Sequence, residues 1–275
     1  MKKWIVFLVA FILFLCVGLQ VAWANKAIET NEYTIQSERI KKAFDGFRIA
    51  QISDLHNAEN TELTEKLRFA KPDIIVLTGD LMDSRKTKMD MAVAFAEECV
   101  ALAPTYYVGG NHESRGGYEA LKTRLLSVGV AVLENEETFI QKDGARIRLI
   151  GVLDPAFREN EYISDTQYMQ ETLSAFSWGA EYTILLSHRP ELFDCYVEVG
   201  ADLVFSGHAH GGQFRLPYIG GVFAPNQGFF PAYDGGRYER NDTTMLVSRG
   251  IGNSRFPFRI NNRPEIVVAT LLCVS

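Results

Sequence analysis

All five histidines of this 275-residue chain stand at or just beyond the carboxyl ends of short apolar runs, and no other feature constrains the fold as much. The runs at 47–53, 73–79, 105–109, 182–187 and 201–206 have the length and composition of strands buried on both faces. Each ends in residues that can bind a ligand: Asp54-Leu55-His56, Gly79-Asp80, Gly110-Asn111-His112-Glu113, His188, and Gly207-His208-Ala209-His210. Between the first runs, 61–70, 88–103 and 118–128 have helical spacing. Later runs at 130–133, 138–141, 146–152, 244–248 and 265–274 add strands, with no long helix expected between them. The combination predicts a mixed α/β fold of two packed sheets with helices outside.

In open α/β sheets the carboxyl ends of strands line the ligand crevice, so the five ends can converge on one centre. Residues i and i+2 of an extended segment point to one side, which would let Asp54 with His56, and His208 with His210, aim pairwise at it. Gly79, Gly110 and Gly207 would turn the backbone sharply just before the ligands through their freedom in φ. Taken singly, an Asp-x-His or a Gly-Asp is common in any fold and an isolated histidine is usually structural. Their joint placement at five strand ends is what marks a site.

The ordered set DLH, GD, GNHE, H and GHAH, over residues 54–210, resembles the signature of the calcineurin-like metallophosphoesterases. Gly211-Gly212-Gln213 and the segment SRGIGNS at 248–254 are similar to the membrane-associated bacterial branch of that family. The resemblance implies a four-layer αββα sandwich of two mixed sheets flanked by helices. Carried onto this sequence, it implies one metal on Asp54, His56, Asp80 and His210, and a second on Asp80, Asn111, His188 and His208, with Asp80 bridging. The catalytic histidine of the family corresponds to His112, and the acid of its GDxxD extension to Asp83.

Imidazole, carboxylate and amide donors without thiolate favour two borderline divalent ions such as Mn, Zn or Fe over an oxygen cage for Ca or Mg. Two such ions lower the pKa of a bridging water and clamp a phosphoryl group, so the expected reaction is phosphoester hydrolysis by in-line attack of that hydroxide. His112 would act as general acid on the leaving alkoxide, with Asp83 holding its tautomer; their alternative role is a structural pair beside the ligands. A phosphodiester is preferred over a phosphomonoester, because such a site carries a small positive charge that suits a monoanion. Arg115 and Arg249 are further phosphate contacts to be tested. The segment 214–238 carries Phe214, Tyr218, Phe223, Phe229, Phe230, Tyr233 and Tyr238, which either pack a long loop or form a substrate rim facing lipid.

Lys2 and Lys3 precede an apolar stretch, 4–23, long enough to cross a bilayer as a helix. The uninterrupted run at 4–19 exceeds the roughly 7–15 residues of a signal-peptide core, which favours a retained anchor at 1–24. Ala22-Trp23-Ala24 keeps cleavage after Ala24, and secretion, as the alternative. The lysines orient the rest of the chain to the outer side of the cell membrane. Residues 25–36 read as a short polar connection within a linker and first strand at 25–45, and 46–275 as the phosphoesterase domain. A net charge of -6, with 28 basic and 34 acidic side chains, gives no field for generic nucleic-acid binding. A metal-dependent nuclease and a non-catalytic scaffold on the same fold remain as rivals. Substrates within reach of such an anchor include lipid phosphoesters and cell-wall polymers, and no protein partner is predicted. The four cysteines, at 16, 99, 195 and 273, form no CxxC pair and imply neither a zinc ribbon nor a disulfide framework.

Overall fold

The computed structural model describes residues 2–59, 61–159, 162–254 and 256–274. In chain order its elements are helix α1 (Lys2–Ala24), strands β1 (Glu29–Ser37) and β2 (Arg48–Ile52), α2 (Leu63–Ala70), β3 (Ile74–Thr78), α3 (Met89–Leu102), β4 (Thr105–Val108), the one-turn α4 (Asn111–Ser114) and α5 (Tyr118–Ser127). There follow β5 (Ala131–Val132), β6 (Glu136–Lys142), β7 (Ala145–Gly151), α6 (Asp165–Ser174), β8 (Thr183–Leu186), α7 (Phe193–Val199) and β9 (Leu203–Ser206). Four two-residue strands, β10 (Arg215–Leu216), β11 (Gly220–Gly221), β12 (Phe223–Ala224) and β13 (Gly228–Phe229), precede β14 (Gly236–Arg240), β15 (Thr243–Val247) and β16 (Glu265–Cys273).

Two six-stranded sheets, ordered β1-β16-β2-β3-β4-β5 and β14-β15-β9-β8-β7-β6, mix parallel and antiparallel pairs. Alternation along each strand sends side chains to opposite faces, and three apolar layers result. Ile49, Val76 and Val267 of the first sheet meet Leu149, Ile184 and Phe205 of the second in the middle layer. On the outer face of the first sheet, Ile52, Ile75 and Leu77 cover Leu67, Ala96 and Leu121 from α2, α3 and α5. On the outer face of the second, Leu185, Val204 and Met245 cover Met169, Leu173 and Tyr196 from α6 and α7. The architecture is therefore the four-layer αββα sandwich.

Two stretches of chain differ from the sequence reading, the one between β7 and β9 and residues 25–36. Helices α6 and α7 do lie between the later strands; α6 buries only Met169 and Leu173, one turn apart on a polar helix, so its apolar stripe is too thin to register as a period. Its start is nonetheless marked, because the Ser164 side chain accepts the Gln167 N–H as an N-cap. Residues 25–36 are not a loose connection. Most of them form edge strand β1, which pairs in parallel with β16 along all nine of its residues. One face of β1 is solvated and its partner is some 236 positions away, so its polar sequence hides it.

This pairing sets where α1 meets the domain. β1 runs parallel to β16, which runs antiparallel to β2, and the register places Glu29 beside Glu265 and Val267 beside Gln51. The start of β1 therefore lies at the carboxyl end of β2, the end from which Asp54 and His56 emerge. Helix α1 leads into the ligand end of the sandwich.

Candidate active site

Strands β2, β3, β4, β8 and β9 deliver their ligand-type residues to one buried place. Asp54, His56 and His210 form one group with mutually close donor atoms, and Asp80, His188 and His208 form another. His56 Nε2 and His210 Nε2 stand 3.1 Å apart, and His210 Nε2 is 3.3 Å from Asp54 Oδ1. Such separations match neighbouring ligands on one ion with bonds of about 2.1 Å. Asp80 Oδ2 lies 3.5 Å from His56 Nε2 and 3.4 Å from His188 Nε2, between the two groups, as a bridging oxygen requires.

Each carboxylate divides its oxygens between scaffold and centre. Asp54 Oδ2 accepts Ser53 Oγ–H and the His208 N–H, while Asp80 Oδ1 accepts the His112 N–H. Asp54 Oδ1, Asn111 Oδ1 and His188 Nε2 are buried and have no hydrogen-bond partner among the described residues. Orphaned donors of this kind fit a cation, since leaving them unpaired is costly. His188 Nδ1 donates to the Thr78 carbonyl at 2.7 Å, which aims Nε2 inward. His208 Nε2 lies 3.0 Å from Asn226 Oδ1 and donates to it, leaving Nδ1 as the ligand atom. Burial holds His208 and His210 neutral, with His210 pushed down to about 3, so their lone pairs are free at neutral pH. Burial also opposes charge on His188, but the adjacent Asp80 outweighs it and raises the ring to about 10. A cation at Nε2 would take the place of that proton.

The local reasons for this convergence differ in part from the sequence expectation. Asp54, His56, His208 and His210 all have positive φ, so the i, i+2 pairs sit in left-handed turns rather than in extended chain. His208 and His210 fall in different groups. Of the three glycines only Gly79 has positive φ; Gly110 and Gly207 are needed for space, since a Cβ would stand 2.3 Å from Asp80 Oδ1 and 1.8 Å from Ser53 Oγ respectively.

His112 lies beside the two groups, its Nε2 3.9 Å from Asp80 Oδ2. The expected hydrogen bond from the His112 ring to Asp83 is not formed. Asp83 Oδ1 stands 3.9 Å from His112 Nδ1, and the Arg85 guanidinium and backbone N–H take up the carboxylate, holding it down to about 2. The Ser84 N–H instead donates to His112 Nδ1 at 3.0 Å, which puts the ring proton on Nε2, facing the centre and Ser254 Oγ at 3.3 Å. Burial lowers the His112 pKa, so the neutral ring is favoured.

Sequence reasoning named Glu113 and gave it no role. It is buried, and its carboxylate accepts the N–H groups of Asp80, Gly110 and Met82, tying the loop after β3 to the one after β4. Burial, helped by the charge of Asp80, pushes it up to about 7. Asn226 and Ser84 carried no signal in the sequence, because their roles depend on chain brought in by the fold. A cleft of about 660 Å³ opens over the centre, with Arg85, Arg115, Arg189, Phe223, Asn226 and Phe256 in its walls. Arg115 is thus placed for a phosphate, whereas Arg249 is not, being paired with Glu29 and Glu265. The aromatic segment is split: Tyr233 and Tyr238 pack toward Phe193 of α7, while Tyr218, Phe229 and Phe230 are exposed.

Comparison with known proteins extends this picture. A family model described as calcineurin-like phosphoesterase matches residues 47–212. The chain is 33% identical over 254 residues to the metallophosphoesterase YkuE of Bacillus subtilis, covering 89% of this chain and 85% of that one. It is 30% identical over 270 residues to a Bos taurus protein named transmembrane protein with metallophosphoesterase domain, covering 91% of this chain and 58% of that one. It is 28% identical over 244 residues to the phosphodiesterase YaeI of Escherichia coli, covering 82% of each.

Proposed function

The chain belongs to the calcineurin-like phosphoesterase family, and from that premise we propose that it hydrolyses phosphodiesters, at the outer surface of the membrane in which α1 anchors it. A metal-dependent phosphoester hydrolase is what the family and the donor groups support. The observation that carries the mechanism is the pair of donor groups on either side of Asp80 Oδ2, with buried orphan atoms on Asp54, Asn111 and His188. Asp54, His56, Asp80 and His210 would hold one divalent ion, and Asp80, Asn111, His188 and His208 the other. Two divalent ions supply a nucleophilic water at neutral pH and neutralise charge on the phosphoryl oxygens.

The rest of the chemistry belongs to the chain. Because His112 Nδ1 accepts the Ser84 N–H, the ring donates from Nε2 and stabilises charge developing on a phosphoryl or leaving oxygen; it is not arranged to cycle through the imidazolium. Arg115 in the cleft wall suits a non-bridging phosphate oxygen. Asp83 shapes the Ser84 turn through Arg85. The diester preference draws support from the name of the YaeI relative. Anchoring draws support from the length and apolar character of Lys3–Ala24 and from the name of the Bos taurus relative.

The test is hydrolysis of bis-p-nitrophenyl phosphate beside p-nitrophenyl phosphate by protein stripped of metal and reloaded with Mn or Zn. Restored turnover that is lost in Asp80→Ala, and faster on the diester, is the expected result. Equal turnover by stripped and reloaded protein would overturn the mechanism, and faster monoester cleavage would overturn the diester preference.

A further inference from the structure

The end of the SRGIGNS segment and the loop beyond it do three things at once. Ser254 and Phe256 line the cleft, Phe256 and Phe258 are exposed, and Arg259 receives the end of α1. The Asn25 side chain, one residue beyond α1, accepts the Arg259 N–H at 2.7 Å and donates to the Arg259 carbonyl at 2.9 Å. Arg263 lies over the Trp23 ring at 4.7 Å and donates to the Ala27 carbonyl. Arg259 itself is buried and spends its guanidinium on the carbonyls of Arg249 and Gly252 and on Asn253, so this loop is rigidly joined to the domain.

Outside α1, and apart from Phe69, Leu126 and Tyr162, the exposed large apolar residues among those described lie in this loop and the aromatic segment. Phe214 packs on Phe256 and Phe258, and the Arg215 N–H donates to the Ile260 carbonyl, which joins the loop to the aromatic segment. From that segment Phe229 is 74% and Phe230 62% exposed, and adjoining exposed aromatics of this kind mark an interaction surface. The register of β1 independently puts the end of α1 at the carboxyl ends of the ligand strands. A Trp and an Arg at that helix end are the residue types found at the bilayer interface.

We propose that the aromatic rim formed by Tyr218, Phe229, Phe230, Phe256, Phe258 and Ile260 seats in the headgroup layer beside α1, so that the metal cleft opens onto the membrane and takes its phosphoester from a lipid of that leaflet. The proposal rests on the phosphoesterase and anchor readings above. It deepens them by naming the substrate class as a membrane-borne amphiphile. The four residues between α1 and β1 span about 14 Å at most, and Asn25 is hydrogen-bonded to Arg259, so the ligand end stays close to the end of α1. A substrate held in the leaflet needs no release into water, since its ester reaches the cleft past Phe223 and Phe256.

The test uses the full chain reconstituted into vesicles of phosphatidylcholine and phosphatidylglycerol, with Cys16 and Cys273 replaced by serine and the buried Cys99 and Cys195 kept. A nitroxide is placed at Phe229→Cys, at Phe258→Cys, and at Leu126→Cys near the C-terminal end of α5, which the β–α–β topology puts at the opposite end of the sheet. At 229 and 258 collisions with oxygen should dominate over those with a water-soluble nickel chelate, and at 126 the reverse. Equal nickel access at all three positions would overturn the proposal, as would protection from both reagents, which would put a second copy on the rim. Turnover of bis-p-nitrophenyl phosphate by the same samples reports the phosphoesterase reading separately, so either can fail alone. A Phe229→Ser/Phe230→Ser variant should raise KM for a vesicle-borne phosphodiester by about tenfold while KM for the soluble diester stays unchanged. Equal KM changes for both substrates would count against the rim.

Discussion

At the scale of residues, the centre works by dividing labour within single side chains. Asp54 and Asp80 each give one oxygen to backbone or hydroxyl donors, and each ligand histidine with an outer partner is oriented by it. This predicts proton release on metal binding, because His188 holds a proton in the metal-free protein with a pKa raised to about 10. A raised imidazole pKa means that the cation competes with a bound proton below it, so metal affinity should climb as pH rises from about 6 to 8. Calorimetry in buffers of different ionisation enthalpy would measure the released protons. His112→Ala should lower kcat about a hundredfold to a thousandfold with metal content unchanged, the loss expected for a single preorganised donor. Metal analysis beside kinetics checks it. Glu113→Gln keeps the shape but turns an NH2 group toward one of three N–H donors, costing about 1–3 kcal/mol. Thermal unfolding of the metal-free variant would show it. The donors of the centre were legible in the sequence since each is chemically distinctive. The roles of Glu113, Ser84 and Asn226 were not, because they act through backbone and side-chain contacts between distant segments that only the fold creates.

Among the elements, the strands β2, β3, β4, β8 and β9 could be read to within a residue or two from apolar runs, because burial on both faces keeps all but a few of their positions apolar. The start of β1, inside the stretch 25–36 read as a connection, and helix α6 escaped for the opposite reason, each showing a largely polar face to solvent. The turns after the strands carry a constraint on volume that the word glycine does not reveal. Gly79 and Gly110 approach so closely that a Cβ on Gly79 would stand 2.8 Å from the Gly110 Cα, and one on Gly110 would strike Asp80. Gly110→Ala should therefore displace Asp80, cost about 1–3 kcal/mol of stability and abolish binding of at least one of the two ions. Unfolding midpoints and metal stoichiometry together would check this, and full stoichiometry in the variant would contradict the crowding argument.

For the whole molecule, the two sheets meet the centre from opposite sides: β2, β3 and β4 belong to one, β8 and β9 to the other. Bound ions would thus clamp the sandwich at one end. A chelator should lower its thermal stability, by about 4 kcal/mol if the free ion had stood a thousandfold above its Kd, a shift of about 8–16 °C for a domain of this size. Differential scanning fluorimetry with and without chelator reads it directly. By itself the sequence determined that five buried strands end in metal-type donors and that a long apolar helix precedes them, because both are local patterns carried by consecutive residues. Only the tertiary structure decided which donor atoms lie close enough to form a group, that Ser84 rather than Asp83 holds His112, and that α1 arrives at the ligand end. These depend on pairings such as that of β1 with β16, whose register is set by burial and backbone hydrogen bonding between distant segments and leaves no mark in either segment alone.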